Sequence, residues 1–216
     1  MTEPHLSLRK LGLRAVPETV WDPGLETLVL SENELSEIPG DVGRLKRLRM
    51  LDFGHNKLAT VPEALGELEG LSDFLYLHNN RLSDLPASLA RLTRLRYLNI
   101  SENAFDTLPE AVSGMTGLIE LRVTDNRLTS LPPSLGRLTR LRELHLRNNA
   151  LTTLPDAVGD LRELRQLDLR GNPLTHLPAA LAGLPRLEKI DLRWVTTLAV
   201  PGWFADLEAR GCLIYR

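Results

Sequence analysis

Five histidines and one cysteine are the side chains of this 216-residue sequence best suited to nucleophilic, acid–base or metal chemistry. The histidines are His5, His55, His78, His145 and His176, and the thiol is Cys212. A metal centre needs three or four ligands converging on one point. His55 and His78, 23 residues apart, with Asp52 as the obvious nearby carboxylate, are the one set that approaches this. Beyond the two imidazoles a third and a fourth ligand are called for and only Asp52 is in view, so the pair reads as surface histidines and no metal is expected. Cys212 has no histidine placed to activate it, as a thiolate nucleophile requires, and reads as a plain structural cysteine. The sequence has no HExxH, no GxGxxG following a strand, no GxxxxGK[ST] and no GxSxG, so the usual sequence signs of metal, nucleotide and serine-hydrolase chemistry are missing. No catalytic residue and no cofactor are expected.

Composition narrows the class further. The 26 Lys+Arg against 28 Asp+Glu leave a formal charge of −2, without the basic excess of a nucleic-acid binder. A single cysteine excludes an internal disulfide framework. Residues 1–20 hold no uninterrupted apolar stretch of the kind a secretion signal uses, and no later run approaches the ~18 apolar residues of a membrane span. A soluble, cytoplasmic, monomeric protein is the expectation. Leucine makes up roughly a fifth of the chain while aromatics are only 5%, an imbalance that calls for a search for repeats.

Segments starting at Leu25, Leu48, Leu71, Leu95, Leu118, Leu141, Leu164 and Leu187 share the frame LxxLxLxxNxLxxLPxxLGxLxx. Leu118–Arg140, LIELRVTDNRLTSLPPSLGRLTR, shows it most clearly. The fourth and sixth places alternate as a half-buried strand requires, so Leu121 and Val123 point inward and Glu120, Arg122 and Thr124 outward. The ninth place carries Asn33, Asn56, Asn80, Asn103, Asn126, Asn149 and Asn172. There the chain leaves the strand, and a buried amide can satisfy backbone groups of adjoining coils. A Leu-Pro step follows, using nine of the 14 prolines. Proline suits the first position of a helix, where its missing N–H would be unbonded in any case. Two further apolar residues, such as Leu135 and Leu138, return that short helix to the core. One coil cannot bury its own apolar face, so stacking supplies the core.

The frame resembles the leucine-rich repeat, in the 23-residue class of intracellular Ras-binding scaffolds, their plant relatives and many bacterial proteins, and the resemblance covers nearly the whole chain. It implies a right-handed, horseshoe-shaped α/β solenoid with a parallel sheet on the concave side and short helices or 3-10 turns outside. It also implies a non-enzymatic protein–protein recognition module or scaffold, with a signalling partner such as a small GTPase. The rival reading is the substrate-targeting part of a larger or separately encoded enzyme: a bacterial effector ubiquitin ligase, a kinase or a signalling ATPase.

A single domain is expected: an N-terminal capping repeat over about 1–24, regular repeats over 25–186, and a C-terminal capping repeat with a closing strand over 187–216. The first unit runs from about Glu3. Asparagine gives way to Leu11 and Val195 in the terminal units, as in coils that lack one neighbour. Trp21, Trp203 and Phe204 are expected to cover the open ends, and the capped C-terminus speaks for a complete domain. The unit at Leu71 carries one extra residue before Leu75, which predicts a bulge near Ser72–Phe74.

The remaining places form a surface. Places two, three, five, seven and eight of each unit should project from the sheet and stack into columns. Met50, Phe74, Tyr76 and Tyr97 then fall together on the concave face, the composition of a binding hot spot. Phe74 could instead tuck under the sheet. Arg147, Arg170 and Arg193 recur at the seventh place, with Arg122 close by and Trp194 beside Arg193. They form either a patch for an acidic partner segment or a lattice neutralised by Glu143, Asp168 and Asp191.

Overall fold

A computed structural model describes residues 4–216; Glu3, the expected start of the first unit, lies outside them. Ten three-residue strands form one parallel sheet in chain order. They are β1 (His5–Ser7), β2 (Thr27–Val29), β3 (Met50–Asp52), β4 (Phe74–Tyr76), β5 (Tyr97–Asn99), β6 (Glu120–Arg122), β7 (Glu143–His145), β8 (Gln166–Asp168), β9 (Lys189–Asp191) and β10 (Leu213–Tyr215). Each pairs with the next without slippage, third place to third place. The sheet is open and curved, and the molecule is a leucine-rich-repeat solenoid.

Register follows from the core. The central residue of the regular strands, from Leu28 through Leu75 and Leu121 to Ile190, is fully buried, as are the sixth-place residues Leu30, Phe53, Leu77 and Leu146. A one-residue slip would turn that whole row to water. Across the core, short return segments such as Glu63–Glu67 and Pro133–Arg137 are single 3-10 turns. Among the described residues only Glu110–Gly114 (α1) and Phe204–Ala209 (α2) are α-helical. The i→i+3 bonding of a 3-10 turn spans its length in fewer residues, which suits a 23-residue coil. Gly66 shows how closely these turns pack: a Cβ there would lie 2.4 Å from the Ser88 carbonyl oxygen.

Two expectations need correction, and a third is located more closely. The Leu-Pro prolines are not the first helical residue. Eight of them, Pro17, Pro39, Pro62, Pro86, Pro109, Pro132, Pro155 and Pro178, are extended residues just ahead of the turn. Their carbonyls accept the first turn bond, as from the Val42 N–H to Pro39 at 3.1 Å. The extra residue after Leu71 is accommodated at Ser72, the first residue of the span expected to bulge, and β4 itself keeps its register, Phe74 pairing with both Met50 and Tyr97. At that point the Arg96 N–H donates to Ser72 O at 3.0 Å. Places seven and eight, finally, are not strand. Ser31, Gly54 and Ser101 at the seventh place are buried. The eighth place is left-handed in every coil from Lys10 to Trp194, with φ between 51° and 66°.

At the ends Trp21 and Phe204 are buried, and Trp203 packs edge-on against Phe204 with ring centroids 4.8 Å apart.

Candidate partner-binding face

The ladder asparagines lie where each chain leaves its strand. Asn126 Oδ1 accepts the Phe105 N–H at 3.1 Å, while Nδ2 donates to Ile100 O at 3.1 Å, linking its own coil to the one before. Asn33, Asn56, Asn80, Asn103, Asn149 and Asn172 repeat this arrangement. Anchored from beneath, the strands hold the third and fifth places outward as rigid columns.

On β4 and β5 these columns are aromatic. Phe74 and Tyr76 stack at 5.8 Å with planes 11° apart, and Tyr97 closes the triangle at 5.4 Å from Phe74 and 5.1 Å from Tyr76. Tyr76 meets His78 at 5.9 Å, and His78 meets His55 edge-on at 4.8 Å, so five rings run continuously along the concave face. Phe74 is 41% exposed and is not core. Met50, opposite it in register, is half-buried. Asp73, Phe74, Arg96, Tyr97, Ile119 and Glu120 line a shallow groove at the edge of the cluster. Burial pushes the Tyr97 phenol up to about 12 and, helped by Asp52, raises that of Tyr76. Burial and the neighbouring His55 lower the His78 imidazole.

The histidine pair lies together but does not converge with Asp52, whose Oδ1 accepts the Gly54 N–H at 2.8 Å. Gly54 makes room for the His78 ring: a Cβ there would lie 2.3 Å from Cε1. Cys212 is buried, and burial raises its thiol.

Across β6–β9 the face is charged and internally paired. Arg170 forks onto Asp168 at 2.8 and 2.6 Å, and Arg193 onto Asp191 at 2.9 and 2.8 Å. Arg147 reaches Asp125 at 3.2 Å and Arg122 reaches Glu120 at 2.5 Å. The arginine column is therefore largely a lattice, in which Asp125 joins Asp168 and Asp191 as a partner while Glu143 faces His145. Asp191 is almost fully buried; burial alone would raise its carboxyl, but the hydrogen bonds from Arg193 prevail and hold it below the usual range. Trp194, 67% exposed, lies 5.9 Å from both Arg170 and Arg193, and Tyr215 lies 5.7 Å from Arg193. Spacing by itself does not bring Tyr215 into this corner; the pairing of β10 with β9 does.

A stacked parallel solenoid whose outward side chains form one continuous curved face defines a recognition repeat protein. This chain belongs to the leucine-rich repeat family, whose model matches residues 23–82, 73–127 and 116–174. Among solved structures, a leucine-rich repeat protein of Leptospira interrogans matches with TM-score 0.75 and 24% identity over 94% of this chain and 64% of that one. The plant peptide hormone receptor RGFR1, in complex with RGF2, matches with TM-score 0.77 and 32% identity over 88% of this chain and 32% of that one. The ectodomain of the Arabidopsis thaliana membrane receptor kinase GASSHO1/SCHENGEN3, in complex with CASPARIAN STRIP INTEGRITY FACTOR 2, matches with TM-score 0.66 and 28% identity over 88% and 27%. The chain thus spans under two thirds of the length of each of these. A search of curated protein sequences returned no match. Among the described residues, no helix is long and apolar enough to cross a membrane.

Proposed function

We propose that this chain is a non-enzymatic recognition module that holds a protein partner on its concave face, with Phe74, Tyr76 and Tyr97 as anchors and Met50 at their margin. The observation that carries this is the cluster of Phe74, Tyr76 and Tyr97, presented from strands β4 and β5 whose backbone is already ordered and continued by His78 and His55 just beyond the strands. Rigid aromatic side chains contribute contact area at low ordering cost, and such residues dominate interface energetics. The groove beside them fits an apolar or aromatic side chain. Arg122, Arg147, Arg170, Arg193 and Trp194 form the polar flank; with their carboxylates already paired, they set orientation more than affinity. The complex of the plant peptide hormone receptor RGFR1 with RGF2 supports a peptide or extended segment as the bound element. A cytoplasmic signalling partner, such as a small GTPase, is suggested only by the resemblance to the 23-residue intracellular class; the side chains of this face select an anchor chemistry, not a named partner.

Binding of an isolated partner to Tyr76→Ala/Tyr97→Ala should weaken by at least about 2 kcal/mol. Glu63→Ala and Arg137→Ala, on the convex side, should leave it unchanged. Loss of binding on a convex change with the double tyrosine variant intact would refute concave recognition.

A further inference from the structure

Strand register brings three metal-ligating side chains to one point on the curved face, and they are not the histidines that spacing singled out. Glu120 and Glu143 are direct partners in the β6–β7 ladder. Two carboxylates facing each other across strands cost stability unless something offsets them. His145, two residues along β7 on the same face, brings Nε2 to 3.2 Å from Glu143 Oε2 and 3.6 Å from Glu120 Oε1. All three ligand atoms lie within 4.8 Å of one another. Donors held at ~2.0–2.2 Å around a tetrahedral zinc ion stand ~3.3–3.5 Å apart, so both edges through His145 are already close to ligating length. The side chains of His145, Glu120 and Glu143 are 15%, 22% and 35% exposed. They are rooted on strands rather than on a mobile loop, and His145 borders an open basin shared with Asn99, Arg122 and Gln166.

We propose that Glu120, Glu143 and His145 form a site for a divalent transition-metal ion, zinc by chemistry, with the fourth coordination position open to the concave basin. An imidazole with two carboxylates suits zinc and its neighbours in the first transition row. Calcium and magnesium favour all-oxygen sets. Arg122 is the built-in competitor: its Nε donates to Glu120 Oε1 at 2.5 Å, doing for that carboxylate what a cation would do. With its side chain 42% exposed, Arg122 can turn away when an ion takes Glu120. The affinity of the site is thereby set by an exchange of one positive charge for another. The proposal stands independently of partner binding by the aromatic cluster, which lies on other strands.

The test is a titration of the purified full chain with cobalt(II) chloride, followed by zinc chloride. One equivalent of Co²⁺ should give visible ligand-field absorption, and Zn²⁺ should abolish it. His145→Gln and Glu143→Gln should each weaken binding at least tenfold, a loss seen even for groups that only support a ligand. Arg122→Gln should strengthen it, and His78→Gln should change nothing. Circular dichroism identifies any variant that fails to fold, and the other ligand variant then carries the comparison. Absence of saturable absorption overturns the site, as does a titration indifferent to both ligand variants or one lost in His78→Gln.

Discussion

Asn126 is the residue on which the middle of the solenoid turns, because it satisfies a donor on one coil and carbonyls on two. Asn126→Ala should cost about 1–3 kcal/mol, the penalty of leaving buried backbone groups unpaired. Its neighbour in type, Asn79, has a different task. It occupies the left-handed eighth place with φ 51° and reaches only Glu102, on the surface. Asn79→Gly, which keeps the backbone geometry accessible, should cost well under half as much; equal losses in urea melts would contradict this division of roles. Trp194 occupies the same left-handed place with φ 66° while 67% exposed. A bulky residue is strained there. Trp194→Asn should leave the melting temperature unchanged or raise it slightly, whereas partner affinity should fall if Trp194 is a contact.

At the scale of elements, the aromatic strands make the fold sensitive to alkali. Tyr97 ionises near 12 in the folded chain because burial disfavours the phenolate, while an unfolded tyrosine ionises near 10. The folded state therefore keeps a proton that the unfolded state loses, so stability is at its full value below about pH 10 and falls as pH rises toward 12. Absorbance at 295 nm should show the three phenols titrating in separate steps, with the last step lost in Tyr97→Phe; three phenols titrating together would refute it. The turns opposite are limited by backbone proximity rather than by charge. Gly66→Ala pushes a methyl against the Ser88 carbonyl at 2.4 Å and should cost about 1–3 kcal/mol by overpacking.

Over the whole molecule each coil touches only its neighbours, so stability is a sum of local interfaces and the ends matter disproportionately. Phe204, buried in α2, closes the core at one end. Phe204→Ala should cost about 3–5 kcal/mol. Hydrogen exchange should quicken chiefly in β9 and β10 and leave β3–β5 protected; uniform quickening would mean the solenoid opens as a single unit. Much of this architecture is legible in the leucine frame. Burial of the fourth and sixth places of the regular repeats, the asparagine ladder and the neighbouring columns follow from period and strand alternation, because in a solenoid one repeat's pattern dictates its neighbour's position. Grouping of Phe74 with Tyr76 and Tyr97 is legible for the same reason, once the extra residue after Leu71 is assigned ahead of the strand. Three features were decided only by the folded chain. The left-handed eighth place has no sequence mark, since Lys, Glu, His, Asn, Asp, Gly and Trp all occupy it. The arginine column's neutrality depends on which rotamer reaches which carboxylate, and Arg147 reaches Asp125 while Glu143 faces His145. The meeting of Glu120, Glu143 and His145 needs β6 and β7 to be curved and in register at once. Spacing specifies that columns adjoin; only side-chain direction in three dimensions brings their carboxylate and imidazole atoms to within 4.8 Å of one another.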